Sequence, residues 1–157
     1  MKKTKGVFIF LAMIALFKPA VFSHCEIPCG VYDDEMRFTM IKEHITTIEK
    51  AIKKIVNLSG QQPPNFNQIV RWVTNKEKHA EDIQHIISQY FLTQRVKLVE
   101  KEDDKANESR MGHLSLCHEI LVYTMKTKQT TDLSNVEKLK TAVKAFKDSY
   151  FKAKAEK

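Results

Sequence analysis

Residues 33–64 read DDEMRFTMIKEHITTIEKAIKKIVNLSGQQPP, and within them Phe38, Ile41, Ile45, Ile48, Ile52 and Ile55 recur at alternating spacings of three and four. That interval follows one face of an α-helix, whereas a half-buried strand would alternate every second residue. Asp33 or Asp34 can cap the start by accepting from free first-turn amides. Ser59-Gly60-Gln61-Gln62-Pro63-Pro64 ends the helix. A single helix cannot bury so long an apolar stripe by itself, so the pattern demands partner helices.

The C-terminal part of the chain supplies them. A second helix fits Phe66 to about Leu98, with Val70, Val73, Ala80, Ile83, Ile87 and Tyr90 along one face. The charged stretch Glu100 to Lys105 reads as a solvated loop. A third helix carries Leu114, Cys117, Leu121 and Thr124 on one stripe, which makes Cys117 a buried free thiol. Ser134-x-x-Glu137 reads as a capping box for a fourth, whose Leu139, Val143, Phe146 and Tyr150 repeat at four and three. Lys152 to Lys157 reads as a frayed tail. Four glycines and four prolines in 157 residues are too few for a many-turned β-sandwich or barrel. The expected fold is all-α, an antiparallel four-helix bundle over residues 34–157.

Residues 1–23 have the layout of a cleaved secretory signal peptide. Lys2, Lys3 and Lys5 open it, an apolar run extends from Val7 to Phe17, and Val21 and Ser23 suit a cut before His24. The run is too short to span a membrane, which takes roughly 20 residues. Export to a periplasmic or extracellular location follows, with no membrane association after processing. The net charge of +7 owes four charges to Lys2, Lys3, Lys5 and Lys18, so the other 134 residues carry only +3. Lys and Glu are mixed along them and Trp72 stands alone, so no basic stripe interleaved with aromatics marks a nucleic-acid partner.

Cleavage would make His24 the N-terminus, giving one residue a free amine and an imidazole. Residues 24–33, His24-Cys25-Glu26-Ile27-Pro28-Cys29-Gly30-Val31-Tyr32-Asp33, hold two of the chain's three cysteines four apart, and Pro28 and Gly30 forbid a helix there. Such a hook can gather thiolates, an amine, an imidazole and a backbone nitrogen around one ion. Thiolates exclude calcium and magnesium, zinc prefers four side-chain ligands, and a planar set of nitrogens and thiolates suits nickel or copper(II). A Cys25–Cys29 disulfide in a secreted, non-enzymatic helical interaction module is the alternative, as is a copper chelate on His24 with incidental cysteines. No Glu-x-x-His pairs for a di-iron bundle and no Ser-His-Asp motif occur.

The run His24-Cys25-x-x-Pro28-Cys29-Gly30-Val31-Tyr32 resembles the hook of the nickel-containing superoxide dismutases, H-C-x-x-P-C-G-x-Y, at every fixed position. The stretches Lys76-Glu77-Lys78-His79-Ala80-Glu81 and Gln89-Tyr90-Phe91 resemble that family's second helix. The resemblance implies a nickel-dependent antioxidant oxidoreductase that disproportionates superoxide to dioxygen and hydrogen peroxide by Ni(II)/Ni(III) cycling. It implies one nickel ion per chain, held by the amine and imidazole of His24, the amide nitrogen and thiolate of Cys25 and the thiolate of Cys29. It further implies a cis peptide at Ile27–Pro28 and a homohexamer of bundles with each hook packed against a neighbouring subunit. Tyr32 matches the tyrosine over the open face of the metal, and Tyr90 a second tyrosine near it. Two positions depart from the family: the arginine that helps hold the axial imidazole falls on His79, and its glutamate partner falls near Thr39, which is no acid.

Overall fold

The computed structural model describes residue 30, residues 32–99 and residues 103–155. The expected signal peptide, the cis bond at Ile27–Pro28 and the three expected metal ligands His24, Cys25 and Cys29 lie outside them. Helix takes up 86% of the described residues, without a strand. The elements are α1 (Asp34–Ser59), α2 (Phe66–His85), a π-helical continuation of α2 (Ile86–Arg95), α3 (Asp104–Gln129) and α4 (Leu133–Ala155). Each helix packs on its neighbours in sequence and α4 closes against α1, which makes an antiparallel four-helix bundle.

The α1 stripe Phe38, Ile41, Ile45, Ile48, Ile52 and Ile55 is buried throughout, and Asp33 caps the helix by accepting from the Met36 amide at 2.9 Å. Removing such a stripe from water is the main favourable term for a helix that would be marginal alone. In α4 the expected Leu139, Val143, Phe146 and Tyr150 are buried, joined by Val136 and Ala142. Phe38, Phe91, Phe146 and Tyr150 form an aromatic knot in which Phe38 and Phe91 lie 4.8 Å apart between ring centroids and Phe91 and Phe146 5.0 Å. Lys140 of α4 bonds Glu49 of α1 at 2.7 Å, fixing the antiparallel register outside the core.

Four expectations are corrected. Val70 and Val73 are not on the buried face of α2: they are 63% and 38% exposed, and the inward position one turn on is taken by Lys76, 3% exposed. Its ammonium donates to the carbonyls of Thr127 at 2.7 Å, Lys128, and Thr130 at 3.4 Å, so it closes the C-terminus of α3 with a charge of the sign the helix dipole favours. The α3 stripe is centred on His113, Cys117, Ile120, Thr124 and Thr127, with Leu114 and Leu121 at its half-buried margins. Asp132, not Ser134, accepts at the start of α4, from the Ser134 amide at 2.8 Å and hydroxyl at 2.7 Å. Lys152 to Ala155 is helical, and Lys154 is anchored by Asp34 at 2.9 Å, which removes the reason for fraying.

Candidate functional site

The first turn of α1, the end of the π-helical segment and the last turn of α4 meet at one end of the bundle. The hook joins the bundle there: Gly30 takes φ +75°, a left-handed conformation that glycine adopts without steric cost, and Tyr32 follows two residues later. Asp34 is the centre of this end. Its side chain is 3% exposed and accepts a two-pronged pair from Arg95, Nε to Oδ1 at 2.9 Å and Nη2 to Oδ2 at 2.9 Å. The Tyr90 hydroxyl donates to Oδ1 at 2.7 Å, the Tyr150 hydroxyl to Oδ2 at 3.0 Å, and the Lys154 ammonium to Oδ2 at 2.9 Å. Arg95 Nε also reaches the Tyr150 hydroxyl at 3.2 Å.

Burial pushes the Asp34 carboxyl toward neutrality, but the bonds from Arg95, Tyr90, Lys154 and Tyr150 together outweigh it and hold the group well below the usual carboxylate range. Burial, reinforced by the Asp34 charge, raises the Tyr90 hydroxyl and pushes Tyr150 up to about 12. Hydrogen bonding to Asp34 raises the Arg95 guanidinium. Both tyrosines therefore keep their protons and act as donors to a permanent anion.

Tyr32 lies on this platform. Its ring centroid is 4.2 Å from the Arg95 guanidinium carbon and 6.0 Å from the Tyr90 ring, which it meets edge-on at 71°. Tyr32 is 43% exposed, whereas Tyr90 is 3% exposed and carries Arg37 at 4.9 Å from its ring centroid. The structure thus brings the two expected site tyrosines together but puts them in unlike environments, one open to solvent and one with its hydroxyl committed to Asp34.

His79, the residue at the family's arginine position, faces His44 of α1. Their Nδ1 atoms are 2.7 Å apart, and one carboxylate oxygen of Asp82 lies within 4.8 Å of imidazole nitrogens of both. Burial holds the His44 imidazole below its ordinary value, with Asp82 opposing and His79 and Lys78 adding to the effect. Thr39, near the family's glutamate position, only bonds the Glu35 carbonyl one turn back, at 3.1 Å. Cys117 is a fully buried free thiol whose burial pushes it up to about 12, so it keeps its proton at neutral pH and packs as a small apolar side chain.

Asp34, Arg95, Tyr150 and Lys154 were absent from the sequence reading of the site. The available signals were weak: a second aspartate after the cap, and an arginine five residues past a tyrosine.

A family model described as nickel-containing superoxide dismutase matches residues 19–154, a span that runs from before His24 through the last turns of α4. Neither the curated proteins nor the solved structures searched contain a match.

Proposed function

The chain belongs to the nickel-containing superoxide dismutases, and from that premise we propose that residues 24–29 hold the nickel and that the Asp34 platform orients Tyr32 beside it. The reaction is the disproportionation of two superoxide anions and two protons to dioxygen and hydrogen peroxide, with nickel as the cofactor. The observation that carries the reading is a family match spanning both the hook motif and all four helices.

The donor chemistry fits. A terminal amine, the amide nitrogen of Cys25 and the thiolates of Cys25 and Cys29 are strong-field, partly anionic donors of the kind that would suit nickel, and the His24 imidazole would offer a further nitrogen. Nickel held by such donors supplies a one-electron couple between its divalent and trivalent states. The set exists only after the bond before His24 is cut, so we also place this protein among exported ones, periplasmic or extracellular. Oxidation of the two thiols to a disulfide would abolish the donor set, so metal loading has to precede it.

The chain's own contribution is orientation and protons. The Tyr90 hydroxyl is spent on Asp34 at 2.7 Å and has no proton to lend, which makes Tyr90 a positioning residue for the Tyr32 ring. Tyr32, half in solvent, is the tyrosine able to orient an anion and relay a proton through ordered water. Arg95 is neutralised by Asp34 in a two-pronged pair, so it holds the Tyr32 ring without drawing superoxide to itself. Roughly ten hook residues carry too little apolar mass to exclude water alone. A homohexamer, in which neighbouring bundles cover each hook, supplies the missing wall.

The test is the metal content of chain beginning at His24 against chain with one extra residue before it. About one nickel per chain in the first and little in the second is expected, because the extra residue converts the amine into an amide. No nickel in either, with a mass two hydrogens below the fully reduced chain, would replace this reading by a Cys25–Cys29 disulfide.

A further inference from the structure

We propose that His44, His79 and Asp82 form a second metal site, on the α1–α2 face, that takes a borderline divalent transition ion such as zinc. Nothing in the hook chemistry calls for it, since it needs neither thiolate nor terminal amine.

The geometry carries the argument. His79 and Asp82 are three residues apart on α2 and so share a helix face, while His44 reaches them from the adjacent α1. The ligating atoms all lie within 4.8 Å of one another, and the three residues are half-buried, reachable from solvent yet held by packed helices. The two imidazoles point like nitrogens at each other at 2.7 Å. Only one proton fits between them, because two would set N–H against N–H. One ring is therefore the donor through Nδ1–H and the other presents a bare Nδ1 lone pair to the gap, and a metal ion can take the proton's place. Nitrogens bound to one tetrahedral zinc at 2.0–2.1 Å stand about 3.3 Å apart, so the rings need part by only about 0.6 Å.

The donor set selects the ion. Two imidazoles and one carboxylate suit zinc or copper(II), whereas calcium and magnesium require mostly oxygen. Three protein ligands leave one position to water, the arrangement of an open zinc site. Lys78 competes, since its ammonium bonds Asp82 one turn along α2. Its side chain is 64% exposed and free to swing into solvent when the carboxylate turns to a metal.

The test is zinc chloride titrated into the nickel-loaded protein after chelator washing, with both metals counted after gel filtration. One zinc per chain with nickel retained is expected. The double variant His44→Ala/His79→Ala should bind zinc at least tenfold more weakly without losing nickel, Lys78→Gln should bind it more tightly, and the exposed His85→Ala should match the parent. Zinc should also raise the parent's thermal midpoint and leave the double variant's unmoved. The proposal is overturned if the parent takes up no zinc beyond its nickel, or if the double variant binds zinc as the parent does. Should nickel not load, the same parent-against-double-variant difference measured on Cys25→Ser/Cys29→Ser chain reports on this site alone.

Discussion

Replacing Asp34 with asparagine removes one negative charge from beneath four donors while keeping nearly the same shape. In the native protein that carboxylate, 3% exposed, satisfies the two-pronged Arg95 guanidinium, two tyrosine hydroxyls and Lys154. Lys154 is 56% exposed and water can replace its partner, so its share is small. Arg95 is 15% exposed and cannot be re-solvated as easily; uncovering one member of such a buried pair costs about 3–5 kcal/mol. For a domain of this size that is a fall in thermal midpoint of about 10–20 °C, within reach of a protein that starts with about 5–15 kcal/mol. The pH dependence gives a sharper test. Folding lowers the Asp34 pKa, so its stabilisation is complete above the unfolded carboxylate value near 3.9 and is lost as pH falls below that toward the folded value. Urea unfolding followed by helical circular dichroism should show a parent-minus-variant difference that is level from pH 8 to pH 5 and shrinks below pH 4. A variant within about 1 kcal/mol of the parent, or a difference unchanged down to pH 2.5, would refute the claim that Asp34 is a buried permanent anion.

Further outcomes follow from the same structure. Tyr32→Phe should retain nickel and thermal midpoint but lose superoxide dismutase activity, because the ring on Arg95 stays while the solvent-facing hydroxyl goes; unchanged activity in a pulse-radiolysis assay would remove Tyr32 from the reaction. Lys76→Met should destabilise by about 1–3 kcal/mol, since it strips a buried charged donor from the Thr127, Lys128 and Thr130 carbonyls at the C-terminus of α3, and urea midpoints would measure it. Ile83→Ala should cost about 2–5 kcal/mol and Val70→Ser less than about 0.5 kcal/mol, although both residues belong to the apparent apolar stripe of α2.

That contrast shows where the sequence was legible. In α1 and α4 the apolar residues are isoleucine, leucine, valine and aromatics at strict three–four spacing, and burial follows the pattern residue by residue. In the first turns of α2 it does not. Val70 and Val73 share a face, but the bundle has no surface opposite them to bury, and the inward direction is set further along by Ala80, Ile83 and the lysine that closes α3. Periodicity reports which residues share a face; it says nothing of whether a partner helix extends far enough to cover it. A lysine at an inward position is invisible to a pattern rule, because its role depends on carbonyls some 50 residues away.

The platform under Tyr32 escaped notice for a related reason, lodged in backbone geometry. Over Ile86–Arg95 the helix loosens to hydrogen bonds spanning five residues, with the Val96 amide closing onto the Phe91 carbonyl at 2.8 Å and the Thr93 hydroxyl onto the Ser88 carbonyl at 2.8 Å. Residues five apart then align, so Ile86 and Phe91 both enter the core and Tyr90 and Arg95 both reach Asp34. An ordinary α-helix read from Tyr90 would carry Gln94 toward Asp34 in place of Arg95. The wider turn therefore selects which side chain meets the buried carboxylate, and through it which cation lies against the Tyr32 ring. Local helix propensity does not predict such a turn, and it occurs beside the segment that joins the hook, where departures from regular geometry are expected to coincide with function.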